Sequence, residues 1–129
     1  MRVAISGMFW GKGATGSGQY IQRLLPALVE VAPEAEITLL APRGQSRSLR
    51  PGDAEDAGAW AVRRLGTPFD GRQANLAKVW FEQVSFPRAC AKGFDLAHAP
   101  YFAPPRYATV PTIVTIHDLI PLFLPDYRK

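Results

Sequence analysis

The run PTIVTIHD at residues 111–118 constrains this chain more than any other stretch. Ile113, Val114 and Ile116 dominate a segment with no polar alternation, which then stops at His117 and Asp118. A strand apolar on both faces predicts a parallel sheet covered by helices on both sides, because a sheet with one wet face alternates. Residues 2–6 (RVAIS) and 36–41 (EITLLA) have the same apolar character. In such sheets ligands collect beyond the carboxyl ends of the strands. His117 and Asp118 therefore mark either a reaction site or a satisfied strand-end histidine beside a helix-capping aspartate.

The periodicity between these strands completes a β-α-β-β-α-β-β order. After the first strand comes a glycine-rich loop over residues 7–18, then a helix from about Ser17 to Val31. In that helix Ile21, Leu24, Leu25, Leu28 and Ala32 recur at three- and four-residue intervals. Ser17 is the expected N-cap. Pro26 predicts a kink near Gln22, since it removes a backbone donor, and Pro33 ends the helix. Residues 42–58, rich in Gly, Pro, Ser, Arg and Asp, predict a long exposed loop. A third strand is expected over 59–65, at an edge because of its paired arginines. A long helix is expected over 72–91, with Leu76, Val79, Trp80, Val84 and Ala91 as its apolar face and Pro87 bending or shortening it. The fourth strand is placed at 94–98 and the fifth at 112–116, with a proline-broken tail over 119–129. The pattern predicts an α/β, Rossmann-like fold with a mostly parallel sheet flanked by helices.

The chain has 129 residues, 47% of them hydrophobic, which suits one domain. Its formal net charge is +4, with Arg43, Arg47, Arg50, Arg63, Arg64 and Arg72 in or beside the middle loops. Such a face attracts phosphates or anionic lipid, or is simply solvated. No basic tract is interleaved with aromatics, so a nucleic-acid partner is not expected. Cys90 is the single cysteine and sits between two alanines. An intramolecular disulfide is thereby excluded, and a small buried side chain is favoured over a nucleophile. The N-terminus reads as a strand rather than a signal peptide, and the apolar tail is interrupted by His117, Asp118 and prolines. The expectation is a cytoplasmic protein, possible at the inner face of the membrane.

Three groups of residues can carry chemistry. GKGATG at residues 11–16 matches G-x-G-x-x-G, but it begins several residues after the strand and no acid ends strand two. Arg43 keeps an NADP-type reading open. The loop also suits anion binding without any dehydrogenase chemistry: glycine amides approach a diphosphate at the positive end of the following helix, with Gly16 and Gly18 closest. The alternative is a flexible surface loop. Second, the only two histidines, His98 and His117, both fall at expected carboxyl ends of strands. No third ligand accompanies them, so a metal is not expected. Hydrogen bonding to sugar hydroxyls or phosphate suits them, with Asp118 orienting His117, accepting a proton or capping a helix. Third, Glu82 and Gln83 lie midway along an apolar helix, where they reach a ligand, a neighbouring loop or solvent. Trp10, Tyr101 and Phe102 occupy loops on the same side, as ring-stacking groups or as core anchors.

Taken together, GSGQYIQRLLPAL, WFEQVSFP, FDLAHAPYFAPP and PTIVTIHDLIP, in this order from Arg2 to about Tyr127, resemble the N-terminal domain of retaining, GT-B-type glycosyltransferases of family 4. The resemblance implies transfer of a sugar from a nucleotide-sugar donor to an acceptor hydroxyl with retention, in polysaccharide or glycolipid synthesis. It implies two Rossmann-like domains with the reaction between them, and no cofactor or bound metal. By position, Gly16 and Gly18 would approach the donor diphosphate. His117 would contact the transferred sugar and support the leaving phosphate. His98, Glu82 and Asp118 match recurrent positions. The donor-binding domain has no counterpart within residues 1–129. The expectation is therefore a truncated N-terminal half, inactive alone and prone to self-association through Val110–Leu124. The acceptor is not named by the sequence; a lipid-linked one would add peripheral membrane contact.

Overall fold

The computed structural model describes residues 1–44, 59–101, 103–118 and 123. The elements in chain order are strand β1 (Arg2–Ser6), helix α1 (Gly16–Val31), strands β2 (Glu36–Pro42) and β3 (Ala61–Leu65), and helix α2 (Ala74–Trp80). A π-helical turn (Phe81–Ser85), helix α3 (Phe86–Cys90) and strands β4 (Leu96–Ala99) and β5 (Thr112–Val114) follow. The five strands form one sheet in the order β3-β2-β1-β4-β5, with every pair parallel. This is the expected α/β, Rossmann-like architecture. The expected loop over 42–58 falls outside the described residues from 45 onward, as do Phe102 and all of the tail over 119–129 except Phe123.

β1 is the centre. Val3 pairs with Ile37 on one side and Leu96 on the other, and Ile5 with Leu39 and His98. Alternation along β1 divides the core into two layers. Val3 and Ile5 pack with Ile21 and Leu25 of α1, together with Ile37 and Leu39. Ala4 faces the opposite way, into a layer with Leu40, Phe81, Phe86, Cys90 and Ala97. The β1-to-β2 crossover therefore covers one face and the β3-to-β4 crossover the other. The winding reverses between β1 and β4, the place where open α/β sheets form their ligand crevice.

Strand character differs from expectation at one end. Burial on both faces belongs to β1 and β2, whereas β5 lies at the edge with one neighbour. There Ile113 is 51% exposed, and Ile116, beyond the strand, 60%. An apolar run cannot by itself distinguish a central strand from an edge strand. β4 also reaches one residue further than expected, to Ala99, so His98 is a ladder residue and not the strand's last.

The second helical segment also departs from the expected stripe. Leu76 and Val79 are exposed, and the buried residues are Phe81, Glu82, Phe86, Pro87, Ala89 and Cys90. The Phe86 N–H bonds the Phe81 carbonyl, five residues back. Pro87 has no N–H to offer the Gln83 carbonyl, which favours the wider turn here. The extra residue rotates everything downstream, so one 3.6-residue stripe cannot describe both halves.

α1 is capped by Thr15, not Ser17: its Oγ1 accepts the Gly18 amide at 3.1 Å and donates to the Lys12 carbonyl at 2.7 Å. Pro26 is exposed, and the helix continues through it to Val31. Successive turns fold the glycine loop onto this helix, with Trp10 N–H on Gly7 O, Lys12 N–H on Phe9 O and Thr15 N–H on Lys12 O. Gly18 permits that approach. A Cβ there would stand 2.1 Å from the Lys12 carbonyl oxygen, whereas one on Gly16 would meet nothing within 4 Å. Gly18→Ala should therefore lower stability by about 1–3 kcal/mol through overpacking. Gly16→Ala should change it by less than about 0.5 kcal/mol. Urea midpoints at unchanged m-value check the pair.

Candidate functional site

Three segments meet at the carboxyl edge of the sheet: the glycine loop after β1, Pro100–Tyr101 after β4, and Thr115–Asp118 after β5. Thr115 extends the parallel ladder, its N–H bonding Ala99 O at 3.0 Å. Ile113 aligns with His98, and alternation carries the same side on to Thr115 and His117. The contacts agree: His98 Nε2 lies 2.8 Å from Thr115 Oγ1, and the His117 ring meets Tyr20 of α1 edge-on at 4.8 Å. Both imidazoles thus occupy the α1 side of the sheet, and Tyr20 is only two residues past Gly18. His117 thus meets α1 through Tyr20, while His98 is tied to Thr115 in the β4–β5 ladder.

The two rings differ in availability. His98 is half-buried within the β4–β5 ladder, and burial lowers its pKa from the ordinary value. Its hydrogen bond to Thr115 ties the edge strand to the sheet. His117 is exposed, and its Nε2 sits 3.0 Å from the Pro100 carbonyl. A carbonyl only accepts, so Nε2 carries the proton, an assignment made from the partner's chemistry. In the neutral ring Nδ1 is then a lone-pair acceptor, suited to a hydroxyl donor. An anion there would require the doubly protonated ring. Asp118 is exposed beside it.

At the helix end, the Gly18 amide is engaged by Thr15 and the Gln19 amide by the Thr15 carbonyl. Among the described residues no partner takes the Gly16 or Ser17 amide, so these two are the donors available to an anion. Gly18 is explained by the chain's own packing, without a ligand.

On the opposite side of β1 lies a polar link that the sequence did not reveal. Ser6 Oγ is 3.0 Å from Tyr101 Oη, both residues being buried. Burial pushes the Tyr101 phenol well above its usual range; Ser6 opposes this, and the Glu82 charge and hydrogen bond add to it. Either hydroxyl can donate in the Ser6–Tyr101 pair, and the Glu82 carboxylate lies close enough to the phenol to bear on its titration. Glu82 is 5% exposed, and its Oε1 contacts the Lys78 ammonium at 2.8 Å without the alignment of a hydrogen bond. The pairing supplies the countercharge that a buried carboxylate needs. Glu82 is thus neither solvated nor beside the histidines; it sits beneath the crevice. Tyr101, 4% exposed and edge-on to Phe9 at 5.0 Å, is a core anchor. Gln83 holds the following loop, donating to Pro104 O and accepting from Arg106 N–H. Trp10 packs against Trp60. Cys90 is buried, and burial pushes its thiol up to about 11, which leaves it a poor nucleophile.

Among the described residues, no three His, Cys, Asp or Glu side chains cluster as metal ligands, and no helix is long and apolar enough to cross a membrane. Comparison with models of known families, with curated proteins and with solved structures gives no match.

His98 generates a pH prediction. Its folded-state pKa lies below the unfolded value, so the unfolded chain takes up the proton first. The neutral ring's contribution is complete above pH about 6.5 and is lost as pH falls below it. Urea midpoints should decline from pH 7 towards pH 5, and His98→Gln should flatten that decline.

Proposed function

We propose that this chain is the N-terminal, acceptor-side domain of a retaining GT-B-type glycosyltransferase of family 4. It would act with a second Rossmann-like domain that binds the nucleotide-sugar, in polysaccharide or glycolipid synthesis. The observation that carries this reading is the seat of His117: an exposed imidazole beyond the carboxyl end of β5, held by Pro100 O and packed on Tyr20 in the second turn of α1. That arrangement brings an acceptor nitrogen for a sugar hydroxyl to the crevice side that also holds the open amides of Gly16 and Ser17. A diphosphate at those amides would meet the positive end of α1.

In this reading the domain supplies orientation and charge stabilisation. His117 Nδ1 accepts a hydrogen bond from a hydroxyl of the transferred sugar. The Gly16 and Ser17 amides stabilise charge growing on the leaving diphosphate, whose oxygen takes the acceptor's proton in a front-face attack. Asp118 borders the hydroxyl-binding nitrogen, and His98 keeps the β5 segment in register. No cofactor or metal is required. The cytoplasm, or the inner face of a membrane for a lipid-linked acceptor, is the setting this chemistry suits.

The test joins this chain to its donor-binding domain and follows sugar transfer from UDP- and GDP-sugars by anomeric NMR. Retention is expected, with His117→Ala lowering kcat by about 10²-fold or more and residues 1–129 alone showing no turnover. Unchanged turnover in His117→Ala, inversion, or steady turnover by the isolated chain would overturn the assignment. Thermal stabilisation by NADPH but by no nucleotide-sugar would move it to the reductases.

A further inference from the structure

Tyr101 links several of the crevice's supports. Its hydroxyl joins Ser6 at the end of β1 with the Glu82 carboxylate of the π-helical turn nearby, and its ring packs on Phe9 of the glycine loop. Its backbone follows directly on Pro100, whose carbonyl accepts from His117 Nε2. Among the described residues no strand or helix supports the chain between Ala99, where β4 ends, and Thr112, where β5 pairing begins.

We propose that Tyr101, anchored by Glu82 and Ser6, is the positioning residue of the His117 imidazole: it fixes the Pro100 carbonyl, and so the proton on Nε2 and the acceptor lone pair on Nδ1. The π-helical turn has a purpose in this scheme. It buries Phe81 and Glu82 at adjacent positions, one filling the core layer and the other lying near the phenol. Lys78 lies 2.8 Å from the carboxylate and holds it in place. Burial raises the phenol's pKa, so the hydroxyl stays protonated and keeps its link to Ser6. Outer hydrogen bonds of this kind orient a working imidazole in the way that second partners orient metal-binding ones.

The inference gives Tyr101 a role in the sugar-transfer reading, yet its test needs no turnover. In the ¹⁵N-labelled chain the two imidazoles are assigned with His117→Gln and His98→Gln. Hydrogen-bonded Nε2–H protons are then read by solvent exchange. For His117 the proton should exchange at least about tenfold more slowly than in Tyr101→Phe, and the cross-relaxation between the His117 and Tyr20 rings should weaken in that variant. Ser6→Ala and Glu82→Gln should shift both readouts the same way, by less. Ile37→Val, which loosens the core on the α1 side, should leave both unchanged. An unprotected His117 proton in the parent chain, or His117 signals in a folded Tyr101→Phe that superimpose on it, would overturn the proposal. Should Tyr101→Phe not fold, Ser6→Ala and Glu82→Gln decide by the same criterion. Loss of the sugar-transfer reading would leave this measurement intact, and the converse also holds.

Discussion

Everything at the crevice depends on β1 being paired in parallel on both sides while its two faces are covered by different crossovers. Strand pairing fixes Ile5 beside Leu39 and His98, and burial of both faces forbids a one-residue slip, which would exchange the two layers. At its carboxyl end Ser6 turns to one side, towards Tyr101, and Gly7 bonds the Leu40 carbonyl of β2. Residues far apart in sequence are brought to one edge by this strand, and their chemistry follows from where it ends.

The two sides of that edge have different tasks. On the α1 side the polar groups are open or half-open: His117 and the Gly16 and Ser17 amides. On the α2–α3 side they are closed off from water: Ser6 pairs with Tyr101, and Lys78 with Glu82, whose Oε1 has that ion pair but no hydrogen bond. An unmade hydrogen bond in such a closed network leaves a desolvated group, at a cost of about 1–3 kcal/mol. That penalty is what makes the closed side rigid enough to serve as a support. The open side, facing water, carries no such penalty and keeps its donors and acceptors available.

The sheet was legible because its signal is local: β-branched and apolar runs separated by a glycine loop and amphipathic helices. So was the approach of His117 to the first turns of α1, which follows once strand order is assumed. What escaped depends on tertiary context. The identical apolar character of residues 37–41 and 112–116 concealed that one is central and the other an edge. His98 looked like a strand terminus because the ladder's last residue, Ala99, carries no distinguishing side chain. Ser17 resembled a cap, but Thr15 won because the loop folds back onto Gly18. Glu82 is the most informative case. A carboxylate beside Phe81 in an apolar helix suggests solvent, a ligand or a neighbouring loop, and only the position of Tyr101, nineteen residues on, shows which surrounds it.

The wide turn at Phe81–Ser85 also sets how this part of the chain tolerates length change. Surface loops absorb an added or missing residue with little effect, but here the surplus residue is itself the structural device. Deleting one residue from the turn would restore regular winding and rotate one flank against the other by about 100°. Either Phe86 and Cys90 would leave the sheet or Lys78 would swing away from Glu82. Length variation among descendants of this chain should accordingly collect before Ala74 or after Cys90, with the intervening seventeen residues inherited as a block.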